Sequence, residues 1–167
     1  MSTIKDKDDF TAAYDKFADA IFRHCYFRVS DREKAKDLMQ EVFVRTWNYI
    51  VDGNEIKELK SFLYRTAHNL IVDEYRTRKN DASLEELRDI GFDSAEDARE
   101  KLYARVDAKE ILSLLDRLDP KHREVVIMRY IDDLGPKEIS EITGESQNTI
   151  SVRINRAIEQ AKKLLEK

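Results

Sequence analysis

The chain has 167 residues, 38% charged and 41% hydrophobic, with a formal net charge of −4, 4 Gly, 2 Pro and one Cys. So few chain breakers exclude a turn-rich β fold, and no apolar run is long enough to cross a membrane. Cys25, standing alone, cannot close an internal disulfide, and the first ten residues, MSTIKDKDDF, lack the apolar stretch of a signal sequence. The expectation is an all-α protein of a reducing cytoplasm, with one domain or two small ones.

Phe10, Tyr14, Phe17, Ile21 and Cys25 recur at helical spacing and predict a first amphipathic helix. SDRE at 30–33 reads as a capping box with Ser30 as N-cap of a second helix, which turns Ala35, Leu38, Val42, Phe43, Trp47 and Ile50 inward. VDGNE at 51–55 breaks it, because Gly53 and Asn54 tolerate turn geometry. A third helix over 59–79 buries Leu59, Phe62, Leu63, Thr66, Ala67, Leu70, Ile71 and Tyr75. These three helices can close a core of their own.

Charge then becomes uneven. Residues 81–100 hold Asp81, Glu85, Glu86, Asp89, Asp93, Glu96, Asp97 and Glu100 against Arg88 and Arg99, without sustained periodicity. This reads as a solvated linker, with a short turn at SLEEL. Basic groups flank it: Lys60, Arg65, Arg76, Arg78 and Lys79 before, and Arg153, Arg156, Lys162, Lys163 and Lys167 near the far end. The negative net charge hides two basic patches.

Helical spacing returns at Leu102, Val106, Ile111, Leu114, Leu115 and Leu118, and LDPKHRE restarts the chain with Asp119 as N-cap and Pro120 at the first helical position. Val125, Val126, Met128 and Tyr130 continue that helix to DDLG. Pro136 opens a short helix carrying Ile139 and Ile142; Gly144 supplies a turn; Ser146 caps a longer helix that buries Ile150, Ile154, Ala157 or Ile158, and Ala161. Short helix, Gly-containing turn and longer amphipathic helix make a helix-turn-helix signature. The long helix turns Gln147, Asn148, Ser151, Val152, Asn155 and Arg156 outward, flanked by Arg153. Amides, hydroxyls and guanidinium groups suit base edges and phosphates, whereas a merely solvated face more often carries Glu and Lys.

At this point the residues resemble a family. LDPKHREVVIMRYIDDLGPKEISEITGESQNTISVRINRAIEQAKKLL is similar to the promoter-binding C-terminal domain of bacterial sigma factors. AKDLMQEVFVRTW resembles that family's polymerase-binding helix, and FLYRTAHNLIVDEYRTRK its segment that melts and reads the −10 element. Two matches in this order, joined by a short acidic tether, resemble the extracytoplasmic-function (ECF) subgroup. The implied organisation is an N-terminal domain over 1–80, an acidic linker over 81–100 and a helix-turn-helix domain over 101–167.

The resemblance also implies site residues. Asp37, Leu38, Gln40, Glu41 and Phe43 fall where the family meets core RNA polymerase. Lys60, Phe62, Arg65, Asn69, Arg76 and Arg78 fall in the −10 segment, with the turn over 51–59 forming the pocket for a flipped base. Ser146, Asn148, Thr149, Ser151, Val152, Arg153, Asn155 and Arg156 fall at the −35 element. Ser151 stands where relatives commonly have a basic residue and Val152 where a small polar one is common, which bears on the promoter sequence and not on the role. Implied partners are core RNA polymerase, promoter DNA and an anti-sigma factor that blocks the polymerase surface.

No other chemistry is legible. His24, His68, His122 and Cys25 lack zinc-ligand spacing, and there is no Gly-rich phosphate loop or nucleophile motif. The reading carries no metal, cofactor, small-molecule substrate, catalysis or membrane insertion. A dimeric helix-turn-helix repressor, binding duplex DNA without polymerase, is the rival reading, and an interaction protein captured by an inhibitor is a second.

Overall fold

The computed structural model describes residues 7–80 and 109–166, with the side chains of 78–80 outside that description. The acidic segment, Leu102 and Val106 therefore lie outside the described residues. The first three helices are α1 (Lys7–Val29), α2 (Arg32–Val51) and α3 (Leu59–Asn80). After them come α4 (109–117) and α5 (Pro120–Val126), which runs on as a π-helical turn (Ile127–Ile131). The chain closes with α6 (Pro136–Thr143) and α7 (Gln147–Leu165). Among the described residues there is no strand, in keeping with the all-α expectation.

The apolar periodicity accounts for most of the packing. Ile21 and Cys25 of α1, Ala35, Leu38, Val42 and Phe43 of α2, and Leu63, Ala67, Leu70 and Ile71 of α3 are all buried. Each fully buried Ile or Leu contributes roughly 1.5–3 kcal/mol. Phe10 and Tyr14 both close edge-on against Phe43. The cap of α2 differs from the sequence expectation. Ser30 sits at φ 56 in the left-handed region, ending α1, and the N-cap is Asp31, whose carboxylate accepts from Lys34 N at 3.1 Å. The reversal between two long helices uses one left-handed residue, and this moves the cap one position on.

Asp119 occupies the N-cap position of α5 with Pro120 behind it, but its carboxylate makes no cap bond and lies 3.9 Å from His122. The π turn was not legible in the apolar pattern. Its wide geometry closes with Asp132 N donating to Ile127 O and Leu134 N to Met128 O, both at 2.9 Å. It swings Tyr130 out to solvent and carries Asp132 inward.

The two halves pack against each other. One continuous core joins α1–α3 to Val125, Met128, Leu134, Ile139 and the buried face of α7. Phe27 of α1 packs on a second cluster formed by Leu115, Leu118 and Ile127. Polar groups cross the same seam: His24 with Asp132, His68 with Glu124 at 3.4 Å, and Lys60 with Glu138 at 3.5 Å.

Candidate nucleic-acid interface

The helix-turn-helix is built as its composition demands. Pro136 starts α6, where a missing N–H costs nothing, and the Glu138 carboxylate accepts from Gly135 N at 3.2 Å. Gly144 ends α6 at φ 80, a conformation that suits glycine. Ser140 Oγ donates to Glu145 O at 2.6 Å and pins the turn. The Ser146 hydroxyl accepts from Thr149 N at 3.1 Å and caps α7, as its sequence position predicts.

Ile150, Ile154 and Ala157 anchor α7 to the core, while Gln147, Asn148, Thr149, Val152, Asn155 and Arg156 are exposed. At about 100° per residue, Asn148, Thr149, Val152, Asn155 and Arg156 share an arc of about 120°. From Gln147 to Arg156 the helix rises about 13 Å, close to the width of the DNA major groove, about 12 Å. Ser146 and Thr149 are both exposed but bond to each other at 2.8 Å, so their first task is the cap. Ser151 is half-buried at the edge of the arc.

Arg153 is the exception in this set. It lies toward the buried face, 18% exposed, and its guanidinium is ion-paired with Glu145 in the turn. Lys121 of α5 reaches the same carboxylate at 3.5 Å. Burial pushes the Glu145 carboxyl up, but Arg153 and Lys121 outweigh it and hold it below the ordinary carboxylate value. The pairing follows from no motif; Glu145 and Arg153 are eight residues apart and meet across the turn.

On the N-terminal half, Arg65, Asn69 and Arg76 are exposed along α3, and Lys60 is tied to Glu138. Asn69 stands on the solvent face and not within the apolar one. Arg78 belongs to the last turn of α3, its side chain outside the described residues. Phe62 is half-buried and lies against Tyr49, ring centroids 4.9 Å apart. Together with Ile56, Lys57, Ser61 and Arg65 they line a cleft of about 260 Å³ where the 51–59 turn meets the start of α3. Glu55 and Glu58 line it as well. An aromatic pair, a hydroxyl and two cations fit a single unstacked base with its phosphate. Tyr49 was missed in the sequence because its spacing on α2 reads as one more surface position.

The α2 set divides. Asp37, Gln40 and Glu41 are exposed on one face, with Val44 beside them at 51% exposure, and Glu41 accepts from Arg45 Nε at 3.0 Å. Leu38 and Phe43 are buried, so they support this face from beneath and do not form it.

A buried polar cluster lies at the seam between the halves. Arg28 Nη1 and His68 Nδ1 are 3.3 Å apart, and Tyr75 OH donates to Arg28 O. Burial, then Arg28, His24 and Lys121, push His68 down to about 3. Burial pushes the Cys25 thiol up to about 12, partly offset by Arg28. Among the described residues no group of His, Cys, Asp and Glu could hold a metal ion, and no helix is long and apolar enough to cross a membrane.

Fold and surface thus define a DNA-binding helix-turn-helix protein with a second, cleft-bearing helical unit. The Sigma-70 region 2 family matches residues 13–81, and the Sigma-70 region 4 family matches residues 108–160. The ECF RNA polymerase sigma factor SigW of Bacillus subtilis is 31% identical, over 96% of this chain and 90% of its own length. The RNA polymerase sigma factor SigZ of the same organism is 30% identical, over 92% and 85%. In fold the chain is similar to the sigma factor RpoE of Bartonella quintana, solved with the anti-sigma factor NepR, at TM-score 0.75 and 21% identity over 96% and 98% of the two chains. CnrH, solved with the cytosolic domain of CnrY, superposes at TM-score 0.73 and 20% identity over 96% and 90%. The chain belongs to the ECF RNA polymerase sigma factors, transcription initiation factors that direct RNA polymerase to promoters.

Proposed function

We propose that the exposed arc of α7 reads −35 duplex DNA while the Tyr49–Phe62 cleft and the Arg65–Asn69–Arg76 face of α3 hold the melted −10 strand. The single observation that carries this is the pairing, in one chain, of a groove-sized polar helix face with an aromatic cleft rimmed by Lys57 and Arg65 as well as Glu55 and Glu58. The α7 face is built for hydrogen-bond readout of paired bases, and the cleft for stacking of an unpaired one. Asp37, Gln40, Glu41 and Val44 on α2 form the surface for core RNA polymerase, a mixed patch with an apolar centre. The functional division is 1–80 for polymerase and −10 DNA, 81–100 as acidic linker, and 101–167 for −35 DNA.

Strand opening in this scheme is driven by binding energy for the displaced bases, with no hydrolysis and no cofactor. The acidic segment disfavours free binding to DNA, and polymerase supplies most of the affinity. Control by an anti-sigma factor covering the α2 face, and a cytoplasmic location, complete the reading. The similarity in fold to a sigma factor solved with an anti-sigma factor supports the first.

Run-off transcription with core RNA polymerase and a library of promoter-like DNA tests this. Sequence-selective transcripts should appear, and Arg156→Ala and Asn69→Ala should each abolish them. A chain that neither binds core polymerase nor starts transcripts, yet holds duplex DNA alone, would overturn the proposal in favour of a repressor.

A further inference from the structure

The −35 reading leaves one guanidinium unaccounted for. Arg153 stands on the recognition helix, at the edge of the face turned to DNA, yet it is spent inside the protein. Its partner Glu145 belongs to the turn, and Glu145 is in turn held by Lys121 of α5 and by Ser140 Oγ on its carbonyl. Four contacts from α5, α6 and α7 therefore converge on one turn residue. Exposed single ion pairs contribute little, but this one is half-buried and tied on both sides.

We infer that Glu145 is a specificity-determining positioning residue: it withholds Arg153 from phosphate, so that the recognition helix meets DNA through its neutral amides, hydroxyl and Arg156. The inference rests on the −35 reading of α7 and deepens it. A free guanidinium beside a groove would add sequence-independent attraction, because each phosphate contact strengthens every sequence alike. Paired with the Glu145 carboxylate, Arg153 leaves discrimination to the readers of base edges.

The test uses the full chain and a duplex of arbitrary sequence, with the dissociation constant measured by fluorescence anisotropy between 50 and 200 mM KCl. Glu145→Gln frees Arg153, so binding should tighten at 50 mM and the salt slope should steepen by about 0.9, an extra loss of about 3.5-fold across that range. Arg153→Ala in the native background should leave the slope unchanged, and the double variant E145Q/R153A should give back the gain. A thermal melt of each variant separates loss of fold from loss of charge; should E145Q fail to fold, R153A alone decides.

A slope lowered by R153A shows that Arg153 already grips phosphate and overturns the inference. So does an E145Q slope equal to that of the native chain. Arg156→Ala separates the two levels. If it lowers the slope while E145Q changes nothing, only the role of Glu145 falls. If it too has no effect, the −35 reading falls with it.

Discussion

His68 is placed so that acid should weaken the fold. The perturbation is a fall in pH from 7.5 to 5.0. In the folded chain the ring titrates at about 3, against an ordinary value of 6.5. The folded state therefore refuses a proton that the unfolded chain accepts. Stability contributed by the neutral ring is complete above about pH 6.5 and is lost progressively as pH falls toward 3. At pH 5.0 the loss is about 2 kcal/mol, since each unit of separation corresponds to about 1.4 kcal/mol. This is an upper figure, because the Glu124 carboxylate lies 3.4 Å from the same nitrogen and favours the charged ring. Urea denaturation followed by circular dichroism should show the midpoint falling by about 1 M between these pH values, for an m-value near 2 kcal/mol/M. His68→Gln keeps an acceptor for Arg28 and removes the titration, so the difference between native and variant curves isolates this ring from His24 and His122. Parallel curves for the two proteins, or a native chain that gains stability relative to the variant in acid, would refute the reasoning.

Three further outcomes are expected. Tyr49→Ala or Phe62→Ala, opening one wall of the cleft, should reduce open-complex formation by roughly 5- to 150-fold, the range of about 1–3 kcal/mol for a lost stacking partner, while core-polymerase binding in a pull-down is unchanged. Gly144→Ala should cost about 1 kcal/mol in a thermal melt, as strain of the backbone at φ 80 alone, since a Cβ there meets nothing within 4 Å. Cys25 should react with a thiol reagent only as fast as the chain opens, because the buried thiol, pushed up to about 12, carries almost no thiolate at neutral pH. Prompt labelling of the native chain would contradict the burial.

Local chemistry made much of this protein legible in one dimension. Apolar spacing of 3.6 residues is a property of the segment itself, so Ile21, Leu63, Ile150 and Ile154 declare their faces before any packing is known. Gly144, Ser146 and Pro136 mark turn, cap and helix start because each acts through its own backbone torsion or its nearest N–H. The polar arc of α7 was legible for the same reason. Other features depend on residues brought together from afar. His24 meets Asp132 across 108 positions and His68 lies against Glu124; neither segment holds a sign of the other. The π turn that carries Asp132 inward answers to that packing and not to its own apolar pattern. Whether Phe62 lines a cleft, whether Leu38 and Phe43 lie beneath the α2 face, and whether Arg153 is free for DNA were decided by tertiary structure. Each turns on which neighbour fills the adjacent space, and sequence spacing specifies a direction from the helix axis without saying what stands there.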